Sequence, residues 1–206
     1  MTPRLDLVIF DMDDVLAHLD RERRLQILAK MTGRSPAFLH ETIWASDFET
    51  RAEAGEFSTG AEYLAEFNRR IARNITRAQW VEARRDVMTL RGEVLAIAEA
   101  VQRQVPIALL TNNGSLLREA LPEIVPDVAR VFGDRAHASY EFQARKPQPA
   151  VFERLLARHH VAPARALFID DSEEYVFGAQ SAGLNTLRFV GSHELRSALN
   201  EYGVNS

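Results

Sequence analysis

The stretch Leu5-Asp6-Leu7-Val8-Ile9-Phe10-Asp11-Met12-Asp13-Asp14-Val15-Leu16 decides how the rest of the chain reads. Leu5 to Phe10 is short, apolar and rich in Leu, Val and Ile, the pattern of a strand covered on both faces. It stops at Asp11, where three carboxylates follow within four residues. The uninterrupted apolar run is too brief for a signal-peptide core or a membrane span. A buried strand that opens straight into an acidic turn belongs in a parallel sheet, where ligands gather beyond the carboxyl ends of the strands.

The remaining chain has the rhythm that such a sheet needs. Between about Leu19 and Leu90 no comparable strand is expected, and the apolar residues fall at helical spacing. Leu25, Leu28 and Met31 form a stripe closed by Gly33, and Ser35-Pro36 supplies a cap and a first-turn proline, with Leu39 and Ile43 continuing that helix. Thr59 with Glu62 and Thr76 with Gln79 match capping boxes. Behind them Tyr63, Leu64, Phe67 and Ile71, then Trp80, Val81, Arg84 and Val87, supply further stripes. From Gly92 onward helix and strand alternate: a helix Gly92 to Gln104, a strand Pro106 to Thr111, a turn at Asn112-Asn113-Gly114, a helix from Ser115 and a weaker strand at Val131-Phe132. A loop with Arg145-Lys146-Pro147 then leads to a helix Pro149 to His159, a strand Ala166 to Ile169, a helix closed by Gly183, a strand Asn185 to Val190 and a last helix capped by Ser192. The expected fold class is α/β, a Rossmann-like doubly wound parallel sheet with an inserted all-helical cap. The expected division is residues 1–18 and 91–206 as core and residues 19–90 as cap.

At 206 residues the chain is long enough to bury a substantial core. Lys plus Arg is 25 against 29 Asp plus Glu, a net charge of −4 without a long basic run, so nucleic acid is not an expected partner. No cysteine is present, which excludes disulfides, thiolate metal sites and a thiol nucleophile. No membrane association is expected, and a cytoplasmic monomer or homodimer is the simplest reading. Patterns for a P-loop, a dinucleotide fold or a zincin are absent.

Four polar clusters are expected at the same edge of the sheet: Asp11, Asp13 and Asp14; Thr111 and Asn112; Asp170 and Asp171; and Lys146. Taken singly each has a plain explanation, since Asp-rich turns are commonly solvated caps, Thr111 suits a strand and Lys146 suits a surface. Taken together the carboxylates repel, each close pair by about 4 kcal/mol at an effective dielectric near 20. Lys146 offers one compensating charge, and an all-oxygen site suits a hard divalent cation such as Mg²⁺.

These clusters resemble the four motifs of the haloacid dehalogenase-like (HAD) hydrolases, carried here by Asp11-Met12-Asp13-Asp14-Val15-Leu16, Leu110-Thr111-Asn112, Arg145-Lys146-Pro147 and Phe168-Ile169-Asp170-Asp171-Ser172. The inserted helices resemble the cap of the subgroup containing sugar-phosphate phosphatases and β-phosphoglucomutase, and Phe48 to Leu64 is most similar to phosphatases acting on glucose 1-phosphate. The resemblance implies Mg²⁺-dependent hydrolysis of a small phosphorylated metabolite. It implies Asp11 as nucleophile, Asp13 as acid and then base, and Thr111, the Asn112 amide and Lys146 as phosphate ligands. Asp11, the Asp13 carbonyl, Asp170 and Asp171 are the implied metal ligands. An aspartate at position 13 separates this pattern from the dehalogenating relatives, and a protonated Asp13 fits the excess negative charge of such a site.

Two residues depart from the family pattern: Asp14 stands where glycine is usual, and Tyr175 where Asp or Asn commonly supports the metal. They make a HAD-fold binding or regulatory protein with impaired turnover one alternative function; a phosphomutase of the β-phosphoglucomutase type, which the resemblance also admits, is the other. Among the remaining candidates, His159-His160 reads as a solvated helix end and His18 as surface or cleft wall. Trp44 and Phe48 read as cap core or sugar platform, and Arg51, Glu53 and Glu56 as a solvated cap loop or substrate contacts.

Overall fold

The structure is a computed structural model that describes residues 4–205. Residues 1–3 and 206, at the outer ends of the expected core segments, lie outside the described residues. In chain order the elements begin with strand β1 (Leu7–Phe10) and β2 (Ala17–Leu19). Helices α1 (Arg21–Thr32), α2 (Pro36–Leu39), α3 (Phe48–Glu53), α4 (Gly60–Ile71) and α5 (Arg77–Arg85) follow, with a π-turn at His40–Trp44. Then come β3 (Met88–Leu90), α6 (Gly92–Gln102), β4 (Ile107–Thr111), α7 (Ser115–Ile124), α8 (Pro126–Phe132) and β5 (Ala136–Ala138). The chain closes with α9 (Pro149–His159), β6 (Ala166–Asp170), α10 (Glu173–Ser181), β7 (Asn185–Arg188) and α11 (Ser192–Glu201).

Five strands form a parallel sheet in the order β5-β4-β1-β6-β7. The chain winds outward from β1 first to one side and then to the other, which opens a crevice at the carboxyl end of β1. All of β1 is buried, and its alternation divides the core. Val8 and Phe10 join the layer that includes Ile97, Leu117 and Val128, while Leu7 and Ile9 join the layer of Phe152, Leu155 and Ala179. Burial on both faces is the reason this strand reads as an unbroken apolar run.

The helical segment hangs from a two-stranded antiparallel ribbon, β2 with β3, that pairs Ala17 with Leu90 and Leu19 with Met88. That ribbon departs from the expectation of no strand before Leu90; three residues on each side are too short for a periodic signal. Both capping boxes form: Thr59 and Thr76 accept from the third-residue amides at 3.2 Å, and Glu62 and Gln79 reach back to the cap amides. Gly33 takes the left-handed conformation that ends α1, with φ 67°.

Four further expectations are corrected. Val131-Phe132 is not a strand but the end of α8, because Pro126 starts a helix whose buried Val128, Val131 and Phe132 lie at i, i+3 and i+4. The edge strand is instead Ala136–Ala138, too small-sided to announce itself. The last strand stops at Arg188, although the Phe189 amide still donates to Asp170 at 2.8 Å. Ser192 is the first residue of α11 rather than its cap, its hydroxyl donating to Glu93 at 2.8 Å. Arg51 and Glu53 lie in α3, not in a loop, and Arg51 pairs with Glu56 on the surface.

Candidate active site

The register of the sheet brings the acidic turns together. Phe10 lies beside Ile169, so Asp11, just past β1, emerges next to Asp170 at the end of β6. The Asp11 amide donates to the Ile169 carbonyl at 2.9 Å. Carboxylate oxygens of Asp11, Asp170 and Asp171 lie within 4.8 Å of one another. Asp11 and Asp170 are buried, while Asp171 is more open.

Lys146 reaches into this group from the loop before α9. Its Nζ lies 2.7 Å from Asp11 Oδ1 and 2.6 Å from Asp170 Oδ2, and only 1% of the residue is exposed. Burial opposes its charge, but the two carboxylates outweigh that and hold the ammonium well above its ordinary range. Its Nζ also sits 4.9 Å from the Tyr175 ring centroid and 5.4 Å from that of Phe168. Burial, with repulsion from Asp170 and Asp13, pushes the Asp11 carboxyl well up despite Lys146. Asp171 is raised in the same direction by burial and by Asp170.

The loop carrying Lys146 is clamped from the second motif. Asn112 Oδ1 accepts the Lys146 amide at 2.9 Å, and Asn112 Nδ2 donates to the Lys146 carbonyl at 3.0 Å. The Asn112 side chain thus positions the lysine, a contact invisible in a sequence that separates the two by 34 residues. Thr111, at the end of β4, is buried, and its hydroxyl accepts from Asn113 at 2.8 Å. On the other side α10 presses against the loop, where a Cβ on Gly178 would stand 2.2 Å from the Pro147 carbonyl oxygen. Only glycine admits that approach.

Asp14 faces away from the acidic group. Its carboxylate accepts from Arg21 at 2.6 Å and from His18 at 2.7 Å. These partners hold it below the usual carboxylate range although burial works against them. Its φ of 65° is the left-handed conformation that glycine adopts without strain, and aspartate tolerates it better than most residues.

Asp13 meets a partner that the motif reading missed. Arg84 Nη2 donates to both of its carboxylate oxygens at 2.8 and 2.7 Å. Arg84 comes from α5 and is 1% exposed, so a buried cation offsets part of the excess negative charge expected for the site. Its signal was present, because a charged residue inside the apolar stripe of Trp80 and Val81 is anomalous unless paired.

The cavity above these groups has a volume of about 320 Å³. Its sheet side includes Asp11, Asp13, Thr111, Asn112, Lys146 and Asp171, and its helical side includes Arg24, Trp44, Glu49, Glu53, Tyr63 and Trp80. Trp44 and Glu53 therefore face the cavity, whereas Phe48 is core, packed on Tyr63 and Phe67. Glu53 accepts from Arg145 Nε at 2.6 Å and ties α3 to the lysine loop. Burial still raises its carboxyl to about 7 against the pull of that arginine. His18 is not among the lining residues and stays on the surface beside Asp14. His159 corrects its expectation: its Nε2 lies 3.0 Å from Nε2 of the buried His137, and burial plus that neighbour lower it to about 4. Among the described residues no helix is long and apolar enough to cross a membrane.

The chain is similar to known proteins over nearly its whole length. D-ribitol-5-phosphate phosphatase of Bacteroides thetaiotaomicron is 22% identical over 202 residues, covering 93% of this chain and 95% of the relative. A HAD-like family hydrolase of Porphyromonas gingivalis superimposes with a TM-score of 0.80 at 22% identity over the whole of both chains. A HAD family enzyme of B. thetaiotaomicron, solved with magnesium and inorganic phosphate, gives 0.76 at 22% identity, covering 93% of this chain and all of that one. The profile of haloacid dehalogenase-like hydrolases matches residues 5–183. With that match spanning all four motifs, the chain belongs to the haloacid dehalogenase-like hydrolase family.

Proposed function

We propose that this protein is a Mg²⁺-dependent phosphatase that hydrolyses a small phosphomonoester, of sugar-phosphate size, through an aspartyl-phosphate at Asp11. The observation that carries this reading is the ring of Asp11, Asp170, Asp171 and Lys146 at the mouth of the sheet. Three carboxylates against one ammonium leave two negative charges, and every available donor is oxygen, so the set fits a hard divalent cation. Asp11, the Asp13 carbonyl, Asp170 and Asp171 would hold it. Bound there, Mg²⁺ would neutralise phosphoryl oxygens that otherwise repel an attacking carboxylate. Residues 1–18 and 91–206 would serve as the catalytic core and residues 19–90 as the cap that closes over the substrate.

The chain's own groups supply the remaining steps. A carboxylate oxygen of Asp11 attacks phosphorus in line with the ester oxygen, and the P–O bond to the leaving group breaks. Lys146 holds charge on the phosphoryl group, and the Thr111 hydroxyl and Asn112 amide donate to its oxygens. Asp13 protonates the departing oxygen, then takes the proton of a water that attacks the aspartyl-phosphate and releases inorganic phosphate. Because Arg84 also holds Asp13, that helix-borne guanidinium sets where the acid stands. The engagement of Asp14 by Arg21 and His18 keeps it off the nucleophile and supports turnover over a binding role.

The test is release of phosphate from p-nitrophenyl phosphate and from a panel of sugar phosphates, with and without Mg²⁺. Phosphate release that needs Mg²⁺ and vanishes in Asp11→Asn is the expected result. A folded protein silent on the whole panel contradicts it.

A further inference from the structure

On the helical side of the cavity, one charge has no counterpart. Arg24 of α1 is 8% exposed, and among the described residues its side chain has neither a hydrogen-bond nor an ion-pair partner, its Nε being buried outright. Its guanidinium lies between two indoles, 5.2 Å from the Trp44 ring centroid and 5.3 Å from that of Trp80. Trp80 Nε1 is likewise buried without an acceptor, and both residues line the cavity that holds the nucleophile. Two orphaned donors, one charged, on the wall of a substrate-sized cavity are costly in the empty protein and have a use only when acceptors arrive.

The neighbouring charges are already accounted for. Arg84 is paired with Asp13, Arg145 with Glu53 and Arg21 with Asp14. Glu49 accepts from Tyr63 at 2.8 Å and makes no hydrogen bond or ion pair with Arg24; burial raises its carboxyl although the nearby Arg24 charge works to lower it. Arg24 itself keeps its charge, lowered only to about 10 by burial and by Arg84. The cavity is thus polarised, acidic on the sheet side and cationic at Arg24. A hydroxyl of a neutral polyol could accept one hydrogen bond there but would leave the charge uncompensated. An oxyanion matches both the charge and the planar fork of donors.

We infer that the substrate carries a second oxyanion, a carboxylate or phosphate at the end remote from the scissile ester, and that Arg24, held between Trp44 and Trp80 and joined by Trp80 Nε1, binds it. This rests on the phosphatase reading and narrows its substrate class to phosphorylated acids and bisphosphates.

The experiment compares three substrates of one chain length: an alditol phosphate, the corresponding aldonic acid phosphate and the alditol bisphosphate. At least one doubly anionic substrate is expected to exceed the alditol phosphate in kcat/KM by about 10- to 100-fold, the range for a charge-assisted hydrogen bond. Which of the two leads identifies carboxylate or phosphate as the ligand. In Arg24→Gln that ratio falls to near unity, and Arg24→Lys keeps part of it. An alditol phosphate turned over as well as both, or a ratio that survives Arg24→Gln, overturns the inference. Calorimetric binding of the same compounds separates this failure from that of the phosphatase reading. Arg24-dependent preference for the dianionic compound without any turnover retains the site and rejects the activity, whereas turnover without preference does the reverse. Arg24→Met adds a readout independent of ligand: its melting temperature in the empty protein is expected to rise, and a fall would make Arg24 a structural residue and overturn the assignment.

Discussion

Lys146→Met removes the cation at the centre of the acidic ring while keeping a side chain of similar length. The wild-type ammonium bonds Asp11 at 2.7 Å and Asp170 at 2.6 Å in a setting that is almost fully buried. Without it, carboxylates within 4.8 Å of each other face one another unscreened. At an effective dielectric near 20 that repulsion is about 3 kcal/mol, and breaking one partner of a buried ion pair costs about 3–5 kcal/mol. For a chain of this size such a loss lowers the melting temperature by about 6–20 °C. The assay is thermal unfolding at pH 8 in chelator, repeated with Mg²⁺ and with the double variant Lys146→Met/Asp170→Asn. Mg²⁺ is expected to raise the melting temperature of the variant more than that of the wild type, and the second substitution to restore part of the loss. Because Asp11 is already raised by burial, lowering the pH neutralises it and narrows the deficit. Equal melting temperatures for wild type and Lys146→Met in chelator, or no recovery in the double variant, would refute the reasoning.

Gly178→Ala drives a Cβ to 2.2 Å from the Pro147 carbonyl oxygen, so it should cost about 1–3 kcal/mol in denaturant unfolding and reduce turnover by shifting Lys146. Asp13→Asn is expected to slow hydrolysis of an alkyl phosphate by about 10²–10⁴ yet slow p-nitrophenyl phosphate much less, since nitrophenolate leaves without a proton; equal losses would remove Asp13 from the acid role. Glu53, raised from near 4.5 to about 7, favours its protonated form in the folded state. Its contribution to stability is therefore complete below about pH 4.5 and lost as pH rises through about 7. The difference in unfolding free energy between wild type and Glu53→Gln should change across that window by up to about 3 kcal/mol and stay flat outside it.

What the sequence disclosed about fold and site follows from where each signal resides. Periodicity and caps are local, so the buried run Leu7–Phe10, the Gly33 stop and the boxes at Thr59 and Thr76 could be read in place. The strand-end carboxylates could be read as one group because a parallel sheet aligns its carboxyl ends, which makes Asp11, Asp170 and Asp171 neighbours whatever the loops do. Long-range pairings left no such trace. Arg84 and Asp13 are 71 residues apart, and only the fold, which brings α5 to the turn after β1, joins them. Asn112 offered its backbone to the phosphate reading, while its side chain fixes Lys146 across the crevice. Edge strand β5 was missed because Ala136 and Ala138 carry almost no pattern, and His137 hides beneath His159. A basic residue in an apolar stripe, as at Arg84, is the one long-range clue that a closer reading of the chain would have used.

In the proposed mechanism Asp11 carries the phosphoryl group during turnover. Acid quench of the protein in steady-state turnover with Mg²⁺, followed by borohydride reduction and peptide mass analysis, reads this directly, because reduction of an aspartyl-phosphate leaves homoserine at the labelled position. Homoserine at residue 11, absent without substrate and absent in Asp11→Asn, is the predicted result. Phosphate release at full rate with Asp11 unmodified, or with the label on another carboxylate, would contradict the account.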